Sequence, residues 1–282
     1  MNTETASSNL RPYSSRPWWL RPRAADRPAL YWHLASRAFA FGMWTVPRRY
    51  RFKLARRFTA ALKPFIKRTA WYRAHGSLGI DGVEEIALHH ALSIMSNSGA
   101  LFDLEMKIEG AEILRSALRK SHGTLIVAPH ALLVLSLFRY LCDLGCPPTI
   151  VSAAPYVHVY GTRLVAPTLQ PSSNLLIRVR SALRRGEVVC AMIDEGPRNS
   201  ARTEQFETCT GPVYISDALI KLAKRCAADV IFTSARLDRR QDIILTFGAP
   251  MAPTATSEIS IAKSFVNFLE THVARRGRRL SR

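Results

Sequence analysis

The sequence predicts an α/β fold: a mostly parallel central sheet flanked by helices, entered through a basic, amphipathic N-terminal helical region. Two observations carry this. From about residue 123, short apolar runs alternate with longer stretches of helical spacing, the pattern of strands joined through helices. Before that point, lysines and arginines crowd between apolar residues that recur at helical intervals. The chain has 282 residues, 48% of them hydrophobic, enough for a large core.

The formal net charge of +19 is unevenly placed. Residues 1–73 hold 16 Lys/Arg against two acids, and residues 274–282 hold five Arg and no acid. The stretch between is balanced, with 19 of each sign. A neutral body with basic ends suits an anionic lipid surface or a nucleic acid. No nucleic-acid recognition motif accompanies the charge, so no nucleic-acid partner is expected.

Residues 1–28 are polar and rich in Pro and Arg, and order is not expected there, although Trp18 and Trp19 sit among arginines as at a membrane interface. Residues 29–46 are largely apolar but carry Arg37 near the middle, which favours an interfacial helix over a full span; Pro47 ends it. Residues 48–73 hold ten basic residues and no acid. Phe52, Ala55, Phe58, Leu62, Phe65, Ile66 and Thr69 form a stripe, with Pro64 as an expected kink. This segment reads as lipid-binding, or as a helix packed on the core with a solvated basic face. Asp81-Gly82-Val83-Glu84 reads as a capping box opening a helix to about Leu104, with His89 and His90 as ordinary members.

Gly123 to Ala128 is the expected central strand, broken by Pro129, with His130 at the corner and a helix opening after it. Thr149–Ala153 is a strand, Ser173–Arg185 a helix closed by Gly186, and Val188–Ile193 a buried strand ending at Asp194-Glu195. Gly211–Ala227 is read as a helix, Asp229–Leu237 and Asp242–Phe247 as strands, and Ser257 to about Arg275 as the last helix. The five cysteines are scattered and read as free thiols, and no metal constellation is visible.

His130 and the Asp194–Glu195 pair are the candidate catalytic residues. Parallel strands share one carboxyl edge, where α/β proteins bind ligands, so these groups are expected to line one cleft. A histidine with a carboxylate nearby suffices for general-base chemistry on a hydroxyl. Taken singly, His130 reads equally as a satisfied corner residue, and the acids as a solvated strand end.

Several motifs in order resemble the lysophospholipid acyltransferase superfamily, in its lipid A biosynthesis branch. They are Gly-Thr-Leu-Ile-Val-Ala-Pro-His (123–130), Leu-Arg-Arg-Gly-Glu-Val-Val (183–189), Ile193-Asp194-Glu195, Thr210-Gly211-Pro212, Ala228-Asp229-Val230-Ile231 and Phe268-Leu269-Glu270. The resemblance implies transfer of a fatty acyl group from acyl carrier protein or acyl-CoA to a hydroxyl of a lipid or glycolipid, at the cytoplasmic face of a bacterial inner membrane. It implies no bound cofactor and no metal, and it makes anionic lipid and an acidic acyl carrier protein the expected partners. It divides the chain into a basic segment (1–28), a membrane-associating helical region (29–73), an acyltransferase-like α/β domain (74–275) and a basic tail (276–282).

One departure stands out. The family follows its histidine, after four residues, with Asp or Glu; here that position is Leu135. Asp194, Glu195, Ser136 or a backbone carbonyl then remains to orient the His130 ring. The alternative is a weakened or inactive homologue that binds lipid or serves assembly.

Overall fold

The computed structural model describes residues 38–66, 83–120, 122–129, 132–195, 203–208, 211–238, 242–251 and 257–272. The expected basic segment 1–28, the tail 276–282, the Asp81 cap and His130 itself lie outside them.

Eleven strands and eight helices are seen among the described residues. Helix α1 (38–45) is separated by Pro47 from α2 (Arg48–Ile66), and α3 (Val83–Asn97) follows. Then come β1 (Met106–Glu109), α4 (Ala111–Leu118), β2 (Thr124–Ala128), a 3-10 turn (Leu132–Val134) and α5 (Leu135–Asp143). Next are β3 (Thr149–Val151), β4 (Tyr156–His158), β5 (Val165–Leu169), α6 (Leu175–Arg184), β6 (Val188–Met192) and β7 (Asp194–Glu195). The chain continues through β8 (Thr203–Thr208), β9 (Gly211–Ser216), α7 (Ala218–Arg225), β10 (Asp229–Leu237), β11 (Ile243–Phe247) and α8 (Glu258–His272).

The main sheet has eight strands in the order β1-β11-β10-β2-β6-β3-β5-β4. It is parallel except at the β10–β11 and β4–β5 pairs. The expected α/β class with a mostly parallel sheet is therefore observed. All five residues of β2 are buried, because helices cover both faces of this central strand. Its side chains alternate between two cores. Ile126 and Ala128 join Leu88, Leu92 and Met95 of α3 and Leu137 and Phe138 of α5. Leu125 and Val127 join Val179 of α6, Ile220 of α7 and Phe265 of α8.

Helix α2 is laid over the first core through Phe52 and Ala55, both fully buried, with Thr59 beside them. It therefore packs on the body with part of the expected stripe inward. Phe58, placed on that stripe by spacing, is instead exposed and stacks on Phe39 at 4.9 Å between ring centres. The helix runs through Pro64, which lies in its last turn. Truncating Phe52 to Ala removes the largest inward side chain of α2 and leaves a void under it. The variant is expected to lose about 3 kcal/mol of stability, read from urea unfolding followed by circular dichroism.

Three expectations need correction. Residues 211–227 are not one helix. Val213, Tyr214 and Ile215 are good strand formers and pair antiparallel with Thr203–Thr208, and the helix begins only after Asp217. Strand β8 carries an alternation that a reading by apolar runs overlooks, since only Phe206 among its residues is strongly apolar. The helix from residue 83 stops at Asn97, where Gly99 takes a positive φ of 74° and turns the chain. Residues 132–134 form a 3-10 turn, so the α-helix expected straight after His130 begins at Leu135.

Candidate functional site

The carboxyl edge of the parallel strands is set by the register of the sheet. Strand β2 pairs with β6, ending with Ala128 opposite Met192. Chain segments leading to position 130 and to Asp194 therefore leave the sheet side by side. The buried Pro129 breaks β2, and Ile193, also buried, ends the run of β6. Asp194 and Glu195 do not extend β6. They form β7, the edge of a second, three-stranded antiparallel sheet ordered β7-β9-β8, with Asp194 opposite Ile215 and Glu195 opposite Tyr214. The turn at Ile193 is what re-aims the chain from one sheet into the other. Asp194 is half-buried; the side chain of Glu195 and the whole of His130 lie outside the described residues.

Two neighbours of position 130 are well defined. Leu135, five residues past position 130, is the first residue of α5, half-buried and packed against the first core. Ser136 is fully buried and donates its hydroxyl to the carbonyl of Leu133 at 2.7 Å. That bond commits the only Ser136 donor, leaving its oxygen lone pair as an acceptor for an imidazole N–H.

Strand β10 continues past the end of β2. Phe232 pairs with Val127, so Ser234 comes level with Pro129 two residues on. Its hydroxyl is fully buried and has no hydrogen-bond partner among the described residues. An orphaned buried hydroxyl costs free energy in the resting protein and marks a place where a polar group is welcome. Sequence reading missed Ser234, because a single serine inside an apolar strand carries no spacing signal.

The same edge holds an ionic cluster. Strand β11 is antiparallel to β10, so its start lies beside the end of β10, and β1 starts beside it. Here Lys107 Nζ contacts Asp238 and Asp242 carboxylates at 2.8 Å each, and Arg56 of α2 reaches Asp242 at 2.6 Å. Hydrogen bonding from Lys107, supported by Arg56, holds the Asp242 carboxyl below its usual range against the cost of burial. Arg48 pairs with Asp103 at 2.8 Å and Lys53 with Glu105 at 3.1 Å, both just before β1. Helix α2 is thus tied along the carboxyl edge by three ion pairs.

Helix α3 packs against the 3-10 turn that follows position 130. On it, His89 Nδ1 lies 2.7 Å from the hydroxyl of Tyr160, which burial keeps un-ionised. Burial also lowers the His90 pKa, favouring the neutral ring.

Among known proteins, no family model matches the chain and no curated relative is found. The chain is similar to the crystal structure of the 1-acyl-sn-glycerophosphate (LPA) acyltransferase PlsC from Thermotoga maritima. Identity is 12% and the TM-score 0.40, over 81% of this chain and 98% of that one. At that similarity no residue role or activity passes from that protein to this one.

Proposed function

We propose that the protein transfers a fatty acyl group from an acyl thioester, carried by acyl carrier protein or CoA, to a hydroxyl of a lipid or glycolipid acceptor. The reading rests on the family motifs read in order along the sequence. The single structural observation behind it is the register of Ala128 opposite Met192, which leads the segments bearing His130 and Asp194 to one edge. His130 takes the acceptor's proton as its oxygen attacks the thioester carbonyl. The C–O bond forms, the C–S bond breaks, and the proton passes to the leaving thiolate. The lipid A branch and the inner-membrane location belong to the same proposal.

The observation favouring a second reading is Leu135, apolar and seated on the core where the family has a carboxylate. On that reading the fold keeps lipid and performs no transfer. A thioester-release assay separates the two. Full-length protein is incubated with acyl-acyl carrier protein or acyl-CoA and a panel of lipid and glycolipid acceptors. Acceptor-dependent thiol release with a matching acylated product is expected. No product with any acceptor, together with lipid retained through purification, selects the second reading.

A further inference from the structure

We infer that the second-core face of β10, β11 and β1 carries a site for a small oxyanion, a phosphate or a carboxylate, built on Ser234 and Arg236. The register places the parts. Glu109 of β1 pairs with Thr246 of β11, and Thr246 pairs with Ser234 of β10. Two residues nearer the carboxyl edge, Lys107 pairs with Ile244, and Ile244 with Arg236. Directly paired residues project to the same side of a sheet, as do residues two apart on one strand. Phe232, two residues before Ser234, enters the second core, so all of these side chains share that face. The face is apolar along β2 and β6, through Leu125, Val127, Val189 and Ala191. Across β10, β11 and β1 it turns polar, with Ile244 the exception.

Two donors in this grid have nothing to bond. Ser234 is fully buried, and its hydroxyl has no partner among the described residues. The Nε of Arg236, also shielded from solvent, has none among them either. The groups around them are committed elsewhere. Thr246 donates its hydroxyl to Glu109 Oε2 at 2.8 Å. Lys107 Nζ is held by Asp238 and Asp242 at 2.8 Å each. Glu109 Oε2 lies 3.6 Å from Arg236 Nη2, close enough for attraction but too far for a hydrogen bond.

Both orphans donate, and one of them is a cation, so the matching ligand is an acceptor that carries negative charge. Residues two apart on a strand stand about 7 Å from one another. A group with two or more oxygens spans that gap, one oxygen toward Ser234 Oγ and one toward Arg236 Nε. A guanidinium suits the task, being permanently charged and planar. The way in is from β1. Glu109 and Lys107 are exposed, Arg236 is half-buried, and Ser234 stands at the closed end. Glu109 occupies the mouth as a carboxylate of the chain itself, beside the guanidinium without bonding it. It competes with an incoming anion, so removing its charge favours the ligand.

The test is isothermal titration calorimetry of the full chain at about 0.15 M NaCl, which screens diffuse attraction. One probe is inorganic phosphate; the other is dihexanoyl phosphatidic acid, a short-chain lipid phosphate. Binding needs no turnover, so the result stands apart from any failure of acyl transfer. Ser234→Ala and Arg236→Gln are each expected to weaken binding about tenfold, the loss of one charge-assisted hydrogen bond, and Glu109→Gln to tighten it. Without either probe, Ser234→Ala is expected to raise the urea midpoint, because it removes a buried hydroxyl that has no partner. Arg178→Gln, at an exposed position of α6, controls for general attraction to a chain of net charge +19 and is expected to bind as wild type does. Circular dichroism checks that each variant is folded. Tighter binding of the lipid phosphate assigns the oxyanion to a headgroup, and equal binding assigns it to free phosphate. The proposal is overturned if wild type binds neither probe, if Ser234→Ala and Arg236→Gln bind unchanged, or if Arg178→Gln loses as much. It is equally overturned if Ser234→Ala lowers the midpoint and leaves phosphate affinity intact, the result expected of a hydroxyl that only holds a water.

Discussion

Acyl transfer by the His130→Ala variant is expected to fall by roughly 10²–10⁴-fold at constant protein stability, the range a positioned general base contributes. The measurement is initial rate with an acceptor that wild type uses, under identical conditions; equal rates would rule out His130 as the base. The geometry sharpens the expectation for its partner. Leu135 offers no acceptor, and Ser136, its proton given to the Leu133 carbonyl, offers only an uncharged oxygen lone pair. Asp194 leaves the sheet beside the segment that carries His130, because Ala128 and Met192 are paired. If Asp194 orients the imidazole, Asp194→Ala should cost about as much as His130→Ala. The double variant should then be little worse than either, since two groups acting as a unit are lost together. Multiplicative losses would instead assign Asp194 a separate role, such as contact with the acceptor.

Gly123→Ala is expected to cost about 3 kcal/mol of stability, or to prevent folding, although it adds one methyl group. An added Cβ at Gly123 would stand 2.3 Å from the Leu183 carbonyl oxygen and 2.7 Å from the Leu183 Cα. Both are backbone atoms of α6, and no rotamer change can move them. The surrounding backbone is also held: the Asp229 N–H donates to the Gly123 carbonyl at 3.1 Å, and the Thr124 N–H donates to the Glu187 carbonyl at 3.2 Å. To relieve the clash, α6 would have to lift from β2, opening the second core at Leu183 and Val179. Urea unfolding of the purified variant measures the loss. A midpoint equal to wild type would show that this approach is softer than it stands here.

Strong local periodicity explains what could be read from the residues. Asp229–Leu237 was legible to the residue, and β6, α6 and β11 to within one or two, because each is a short apolar run or an amphipathic turn bounded by Gly or charge. The second sheet was not. Asp194–Glu195 is too short to show a period, β8 is mostly polar, and the Val213–Ile215 run has the length of a helix turn as well as of a strand. Pairing between β8 and β9, a tertiary event, decides it. The core side of α2 was half legible: Phe52 and Ala55 are inward, but Leu54 and Phe58 show that an apolar residue on a wheel does not say which neighbour it meets. For the candidate site, the shared edge follows from parallel topology, whereas the unpartnered Ser234 hydroxyl depends on how far β10 outruns β2.

Arg51 holds the junction of the two N-terminal helices in one shape. Its guanidinium donates to the carbonyls of Val46 at 2.7 Å, Leu101 at 2.8 Å and Trp44 at 3.0 Å. One planar fork thus closes the end of α1, the Pro47 corner and the loop after α3, a task an ammonium on a flexible stem performs poorly. The effect is thermodynamic as much as architectural. Side chains already held in their contact arrangement lose little conformational entropy when they meet a partner, and the encounter needs no coupled folding of this junction.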